Sequence, residues 1–245
     1  MTRVLVLGAS SPIARALALK FAHHGAELYL AARDGVEASR IAEDIAVRAG
    51  AKVHHGEFDA TAFASHRGFV DGAFRALGGL DTVVVAFGTL GDQQSAQVDP
   101  SAALATIDQN YGGAVSLLTE AANILEARRS GFVIVFGSVA GDRGRARNYV
   151  SGSAKAALAV FAQGLRARLA RAGVRVLTVK LGTVDTRMTW GREGVRFTIS
   201  PEAAAAAIFA AWRSKREVVY VPRRWRPIMF AIKMIPERWF KRVKF

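Results

Sequence analysis

The sequence predicts an α/β fold built on a doubly wound parallel sheet flanked by helices, and three observations carry that prediction. Short apolar runs rich in Val and Ile alternate with longer stretches of helical periodicity, the pattern of parallel strands joined by helical crossovers. A glycine turn follows the first apolar run directly and opens a helix, the place where a parallel sheet receives a phosphate. The 245 residues, 51% of them hydrophobic, are enough for one domain with a large core, and no internal repeat or low-complexity linker divides them.

The elements follow in order. Residues 3–7 form an apolar run of strand length that ends at Gly8, and Pro12 then opens the first helix, where its missing N–H would be unpaired anyway. Residues 27–31 give the second strand, with a helix starting near Val36, and residues 52–57 the third, with a helix starting near Ala62. The fourth strand, residues 82–86, leads to a helix starting near Ser101; the fifth, residues 131–136, leads to one starting near Tyr149. Strand six at residues 174–180 precedes a helix at Pro201, and residues 218–221 make the seventh strand. Right-handed crossovers wind such strands into a Rossmann-like sheet whose ligand crevice lies beyond their carboxyl ends. The chain accordingly divides into a sheet domain at 1–222 and a basic amphipathic C-terminal tail at 223–245.

Composition narrows the function. There is no cysteine, so neither a disulfide nor a cysteine-ligated metal holds the chain, which suits a cytoplasmic location. The five histidines, His23, His24, His54, His55 and His66, lack metal-ligand spacing, and no metal site is expected. The start, Met1-Thr2-Arg3, runs straight into the first strand, too short for a signal peptide, and no apolar run reaches membrane-spanning length. A net charge of +14 invites a nucleic-acid reading, but the basic residues concentrate in the last thirty positions without a recognisable aromatic-basic module, so no nucleic acid is expected. An anionic membrane surface is the better partner for that charge, which places the protein at the inner face of the membrane as a peripheral component.

The turn Gly8-Ala9-Ser10-Ser11-Pro12-Ile13-Ala14 occupies the position of a dinucleotide-binding loop, in which backbone amides and the helix N-terminus approach a pyrophosphate. Gly8, Ser10, Ser11, Pro12 and Ile13 are therefore cofactor candidates. Strand two ends Ala31-Ala32-Arg33-Asp34 with no acid at its tip to hold ribose hydroxyls, whereas Arg33 suits a 2′-phosphate; this favours NADP over NAD, the alternative being an arginine that stacks on adenine or faces water.

Further along, the stretch Asn148-Tyr149-Val150-Ser151-Gly152-Ser153-Ala154-Lys155 resembles the Tyr-x-x-x-Lys segment of the short-chain dehydrogenases/reductases, with Lys155 present and Ser151 where the tyrosine belongs. In that family the phenol moves the proton at the carbonyl or alcohol oxygen and the lysine four residues on lowers its pKa and binds the nicotinamide ribose; residues four apart share a helix face. The resemblance implies that Ser138, after strand five, bonds the reacting oxygen and that Asn110 organises a relay water. It implies cofactor contacts at Asp59, at Ala86 and Gly88 in Val85-Ala86-Phe87-Gly88, and at Gly182 and Thr183. Besides Ser151, the chain departs from the family pattern at Pro12 and Ala14, which replace glycines of the Gly-x-x-x-Gly-x-Gly turn, at Val85-Ala86-Phe87-Gly88, where many members carry Asn-Asn-Ala-Gly, and at Leu181, which replaces the proline before Gly182. Tyr149 does not substitute for the missing acid, because six residues at about 100° each put it roughly 120° from the face of Lys155. A serine hydroxyl is shorter and far less acidic than a phenol, so the chain is expected to be catalytically impaired. Two histories produce Ser151, an introduced substitution or a natural drift toward a binding role.

The segments Thr89-Leu90-Gly91-Asp92, Asn110-Tyr111, residues 140–148, Thr186-Arg187-Met188 and the tail with Ile235-Pro236 resemble the decaprenylphosphoryl-2-ketoribose reductase branch of that family. The resemblance implies reduction of a keto group on a lipid-linked sugar or another hydrophobic ketone, and a homo-oligomer paired through the helices that bear Asn110 and Tyr149. The tail supports a lipid partner independently, since it mixes Ile228, Phe230, Met234 and Trp239 with arginines and lysines as interfacial segments do. The alternatives are a tail packed on its own domain or on a second subunit, and, for the whole chain, a catalytically silent cofactor-binding partner protein.

Overall fold

All seven expected strands form, at β1 Arg3–Leu7, β2 Glu27–Ala32, β3 Val53–Glu57, β4 Thr82–Val85, β5 Gly131–Ser138, β6 Val174–Leu181 and β7 Val218–Val221, in the computed structural model, which describes residues 1–191 and 197–242. They make one parallel sheet in the order β3-β2-β1-β4-β5-β6-β7. Its strand order reverses between β1 and β4, where Val4 pairs with Leu28 on one side and Thr82 on the other. That reversal opens the crevice into which a parallel sheet receives its ligand. β5 and β6 each run past the expected end because Ser138 pairs with Leu181 and Leu181 with Val221. Leucine at 181 keeps the backbone N–H that a proline would lack.

The helices are α1 Pro12–His23, α2 Gly35–Ala49, α3 His66–Leu77, α4 Gln93–Ala96, α5 Pro100–Ile107, α6 Gly113–Ala127, α7 Tyr149–Ala170, α8 Pro201–Arg213, α9 Trp225–Met234 and α10 Glu237–Phe240. The starts at Pro12, Tyr149 and Pro201 are as expected. Near Val36 the helix begins one residue early because the Asp34 carboxylate accepts from the amides of Val36 and Glu37, satisfying donors that a first turn leaves orphaned. The helix expected near Ala62 begins instead at His66, after a 3₁₀ turn at Phe63–Ser65. The one expected near Ser101 starts at Pro100 under an Asp99 cap and is interrupted by a π turn at Asp108–Gly112, which separates α5 from α6.

Both sheet faces are covered, so the central strands have no polar side: Val83, Val84 and Val85 are all buried. Leu17, Phe21, Ile41 and Ile208 of α1, α2 and α8 pack on one face, and Val70, Leu117, Leu118 and Leu158 of α3, α6 and α7 on the other. Each such side chain contributes about 1.5–3 kcal/mol by leaving water, and together they fix the strand ends that carry the site.

The tail from residue 223 docks on the sheet domain through part of its surface. Met229 and Phe240 are buried, and Arg143 reaches the Ile235 carbonyl at 3.1 Å and the Glu237 carboxylate at 2.6 Å while lying 4.4 Å over the Phe240 ring. Phe230, Met234 and Trp239 remain 57–68% exposed. The split is helical geometry, since neighbouring positions 229 and 230 point about 100° apart. Residues 243–245 of the tail lie outside the described residues. No helix among the described residues is long and apolar enough to cross a membrane.

Candidate active site

Asn110, Lys155 and Gly88 come together at the carboxyl end of β4. Gly88 has φ +155°, and a Cβ there would stand 2.5 Å from Asn110 Oδ1 and 2.9 Å from Lys155 Nζ, so the position accepts only glycine in this conformation. Lys155 Nζ donates to the Phe136 carbonyl at 3.2 Å and, at the limit of bonding distance, to the Phe87 carbonyl at 3.5 Å. It meets no carboxylate among the described residues, and burial pushes its pKa down to about 8. Asn110 is fully buried in the π turn, and its side chain is spent on backbone: Oδ1 accepts from Thr89 N at 3.1 Å, and Nδ2 donates to the carbonyls of Thr89 and Thr106 at 2.8 Å each. Its amide therefore pins the segment after β4.

The turn that Ser138 opens after β5 packs against α7, the helix that carries Ser151. A Cβ at Gly141 would lie 2.7 Å from the Ala156 amide nitrogen, so that turn presses directly on the helix backbone. Ser138 Oγ caps the turn by accepting from Ala140 N at 3.0 Å, and it donates weakly to the Leu181 carbonyl at 3.4 Å. Ser151 is buried in the first turn of α7, one turn before Lys155, with its hydroxyl donating to the Asn148 carbonyl at a long 3.4 Å. Tyr149 points elsewhere and is exposed.

Most of the other candidates lie beyond the carboxyl ends of β1 to β4. Gly8 has φ +92° and packs so close to Phe87 that a Cβ would be 2.7 Å from its amide nitrogen. Ser10, Pro12, Arg33 and Asp59 are exposed there, Ser11 is half-buried and Ile13 and Ala86 are buried. Asp59 Oδ1 accepts from the Thr61 amide and hydroxyl at 2.8 and 2.7 Å, which holds its carboxyl below the usual range.

Residues 2–194 match the model of the short chain dehydrogenase family. The chain belongs to that family. An uncharacterized oxidoreductase of Mycobacterium tuberculosis is 38% identical over 240 residues, covering 98% of this chain and 96% of its own. An uncharacterized oxidoreductase of Streptomyces coelicolor is 36% identical over 241 residues, covering 98% and 95%. A short-chain dehydrogenase from Sphingobium yanoikuyae, solved in complex with NADPH, superposes with a TM-score of 0.82 at 23% identity over 97% of both chains, which shows a shared fold.

Short-chain dehydrogenases are NAD(P)-dependent oxidoreductases, and the residues present fit such a cofactor. The α1 N-terminus carries no side-chain cap from Ser11, so its first-turn amides remain open to a phosphate. The absent Cβ of Gly88 leaves the approach to Lys155 unobstructed.

Beyond Gly88 lies a cleft of about 460 Å³ between residues 88–91 and a wall of Arg187, Met188 and Trp190. Trp190 was not among the expected site residues, and its signal was an exposed tryptophan after Thr186-Arg187-Met188. Composition assigns Trp225 to the tail, yet its indole lies against Gly182, where a Cβ would be 1.9 Å from Nε1, and that buried nitrogen has no hydrogen-bond partner among the described residues. Gly182 thus packs against the tail, and Thr183 beside it is half-buried.

Proposed function

We propose that this chain is an NADPH-preferring reductase of the keto group of a lipid-linked sugar or similarly hydrophobic ketone, working at the inner face of a membrane and slowed by Ser151. The observation that carries the reading is the convergence of Gly88, Asn110 and Lys155 beside a cleft walled by Met188 and Trp190, with Ser151 one helical turn from Lys155. A bound nicotinamide supplies the hydride; the protein must orient the ketone, exclude water and protonate the alkoxide. Ser10, Ser11, Pro12 and Ile13 with Gly8 would hold the pyrophosphate, Asp59 the adenine side, and Arg33, exposed at the tip of β2, the 2′-phosphate. Ala86, Gly88, Gly182, Thr183 and Lys155 would border the nicotinamide end. Ser138 offers its hydroxyl to the reacting oxygen, since its bond to Leu181 is weak enough to exchange. Ser151 offers a hydroxyl where a phenol is needed, so proton delivery is the slow step.

The exposed Phe230 lines a depression of about 340 Å³ with Arg226 and Lys233, and Met234 and Trp239 are exposed on the same tail, a mixture of apolar side chains and cations that suits anionic headgroups. Leu104 on α5 and Val160 on α7 are 59% and 69% exposed, which supports a homo-oligomer through that side. Steady-state NADPH oxidation with a polyprenyl-phosphate keto-pentose and with a water-soluble ketone tests the reading. A preference for the lipid-linked substrate is expected, and equal or exclusive turnover of the soluble ketone overturns it.

A further inference from the structure

We propose that Arg187 is the anchor for an anionic group on the substrate, so that the cleft selects ketones carrying a phosphate at the junction with an apolar chain; this rests on the lipid-linked reading above. The loop that bears it is built rather than loose. Thr189 Oγ1 donates to the Val184 carbonyl at 2.8 Å and accepts from the Thr186 amide at 3.1 Å, closing a turn that presents Arg187 and Met188. Among the described residues Arg187 forms neither an ion pair nor a hydrogen bond, and it is the sole charged residue lining the cleft.

Among the described residues, the acids nearest in sequence to the cleft lining are engaged elsewhere. Asp185 accepts from the Trp190 indole at 3.0 Å, and Asp92 accepts from the Gln94 amide and the Ser95 hydroxyl. The opposite wall is fixed by Asn110, which holds Thr89, and by the Thr89 hydroxyl, which accepts from Gly91 N at 3.0 Å. A guanidinium without a partner among the described residues, lining the cleft with Thr89 and flanked by Met188 at 47% and Trp190 at 70% exposure, matches a phosphate followed by an acyl or prenyl chain. The planar fork of arginine bonds such an anion through two parallel N–H groups.

Calorimetric titration of farnesyl phosphate and farnesol into the full chain saturated with NADP⁺, below micelle-forming concentrations, tests the anchor in wild type, Arg187→Gln and Arg187→Lys. Wild type should bind farnesyl phosphate at least about tenfold tighter than farnesol. Arg187→Gln should erase that difference without changing the affinity for farnesol or NADPH, and Arg187→Lys should restore part of it. If Arg187→Gln weakens NADPH instead, the anion it meets belongs to the cofactor and the proposal is wrong. Amphiphile binding indifferent to Arg187 overturns the anchor alone, whereas a wild-type protein that binds NADPH and neither amphiphile overturns the lipid-linked reading as well.

Discussion

Replacing Ser151 by tyrosine should raise ketone-dependent NADPH oxidation at least about a hundredfold, the lower end of what a positioned acid contributes and equivalent to roughly 2.7 kcal/mol of barrier. The magnitude follows from the neighbour. Lys155 lies four residues on, on the same face of α7, and with a pKa of about 8 it is mostly cationic at pH 7. A cation about 4 Å from the phenol contributes about 4 kcal/mol at an effective dielectric of 20, enough to bring a phenol from about 10 down by about three units. The acid would then titrate near the working pH, where general-acid catalysis is most effective. Because Ser151 is buried, the larger ring carries a stability cost of about 1–3 kcal/mol if it overpacks. Steady-state kinetics alongside a thermal melt and an NADPH titration separate the two effects. A folded, cofactor-binding Ser151→Tyr protein with no gain would show that residue 151 is not where the proton is delivered.

Arg33→Ala should weaken NADPH more than NADH by about 1–3 kcal/mol, measured by calorimetry; equal losses would mean that Arg33 only stacks on adenine. Burial lowers the Lys155 pKa from 10.5 to about 8, so the unfolded chain holds that proton more tightly, and the cost to the folded cofactor-free protein is full below about pH 8 and disappears above 10.5. Urea melts should therefore show Lys155→Met gaining about 2 kcal/mol on wild type at pH 7 compared with pH 10, and a gain independent of pH would contradict the burial. Combined Phe230→Ser, Met234→Ser and Trp239→Ser changes should abolish low-salt co-sedimentation with anionic vesicles while leaving the melting temperature nearly unchanged, since all three are exposed. Undiminished sedimentation would move the membrane contact elsewhere. Truncation after Pro222 is the poorer experiment, because it also removes the buried Met229 and the indole on Gly182.

The sequence by itself determined the sheet, its strands and the family, because strand and crossover patterns and the Lys155 spacing are local and repeat a period that a single chain displays. It also set Ser151 one helical turn from Lys155, since both lie on α7. Tertiary structure decided what locality does not encode. The side chain of Asn110 in its π turn bonds the carbonyl and amide of Thr89, twenty-one positions away, which only the folded chain brings within reach. The tail was read by composition as one interfacial segment, but composition cannot say which face of α9 meets the domain, and Arg143, more than ninety positions from Glu237, draws part of it inward. Trp225 joined Gly182 for the same reason: a parallel sheet sets the end of β6 beside the end of β7, so residues far apart in sequence share one wall of the site.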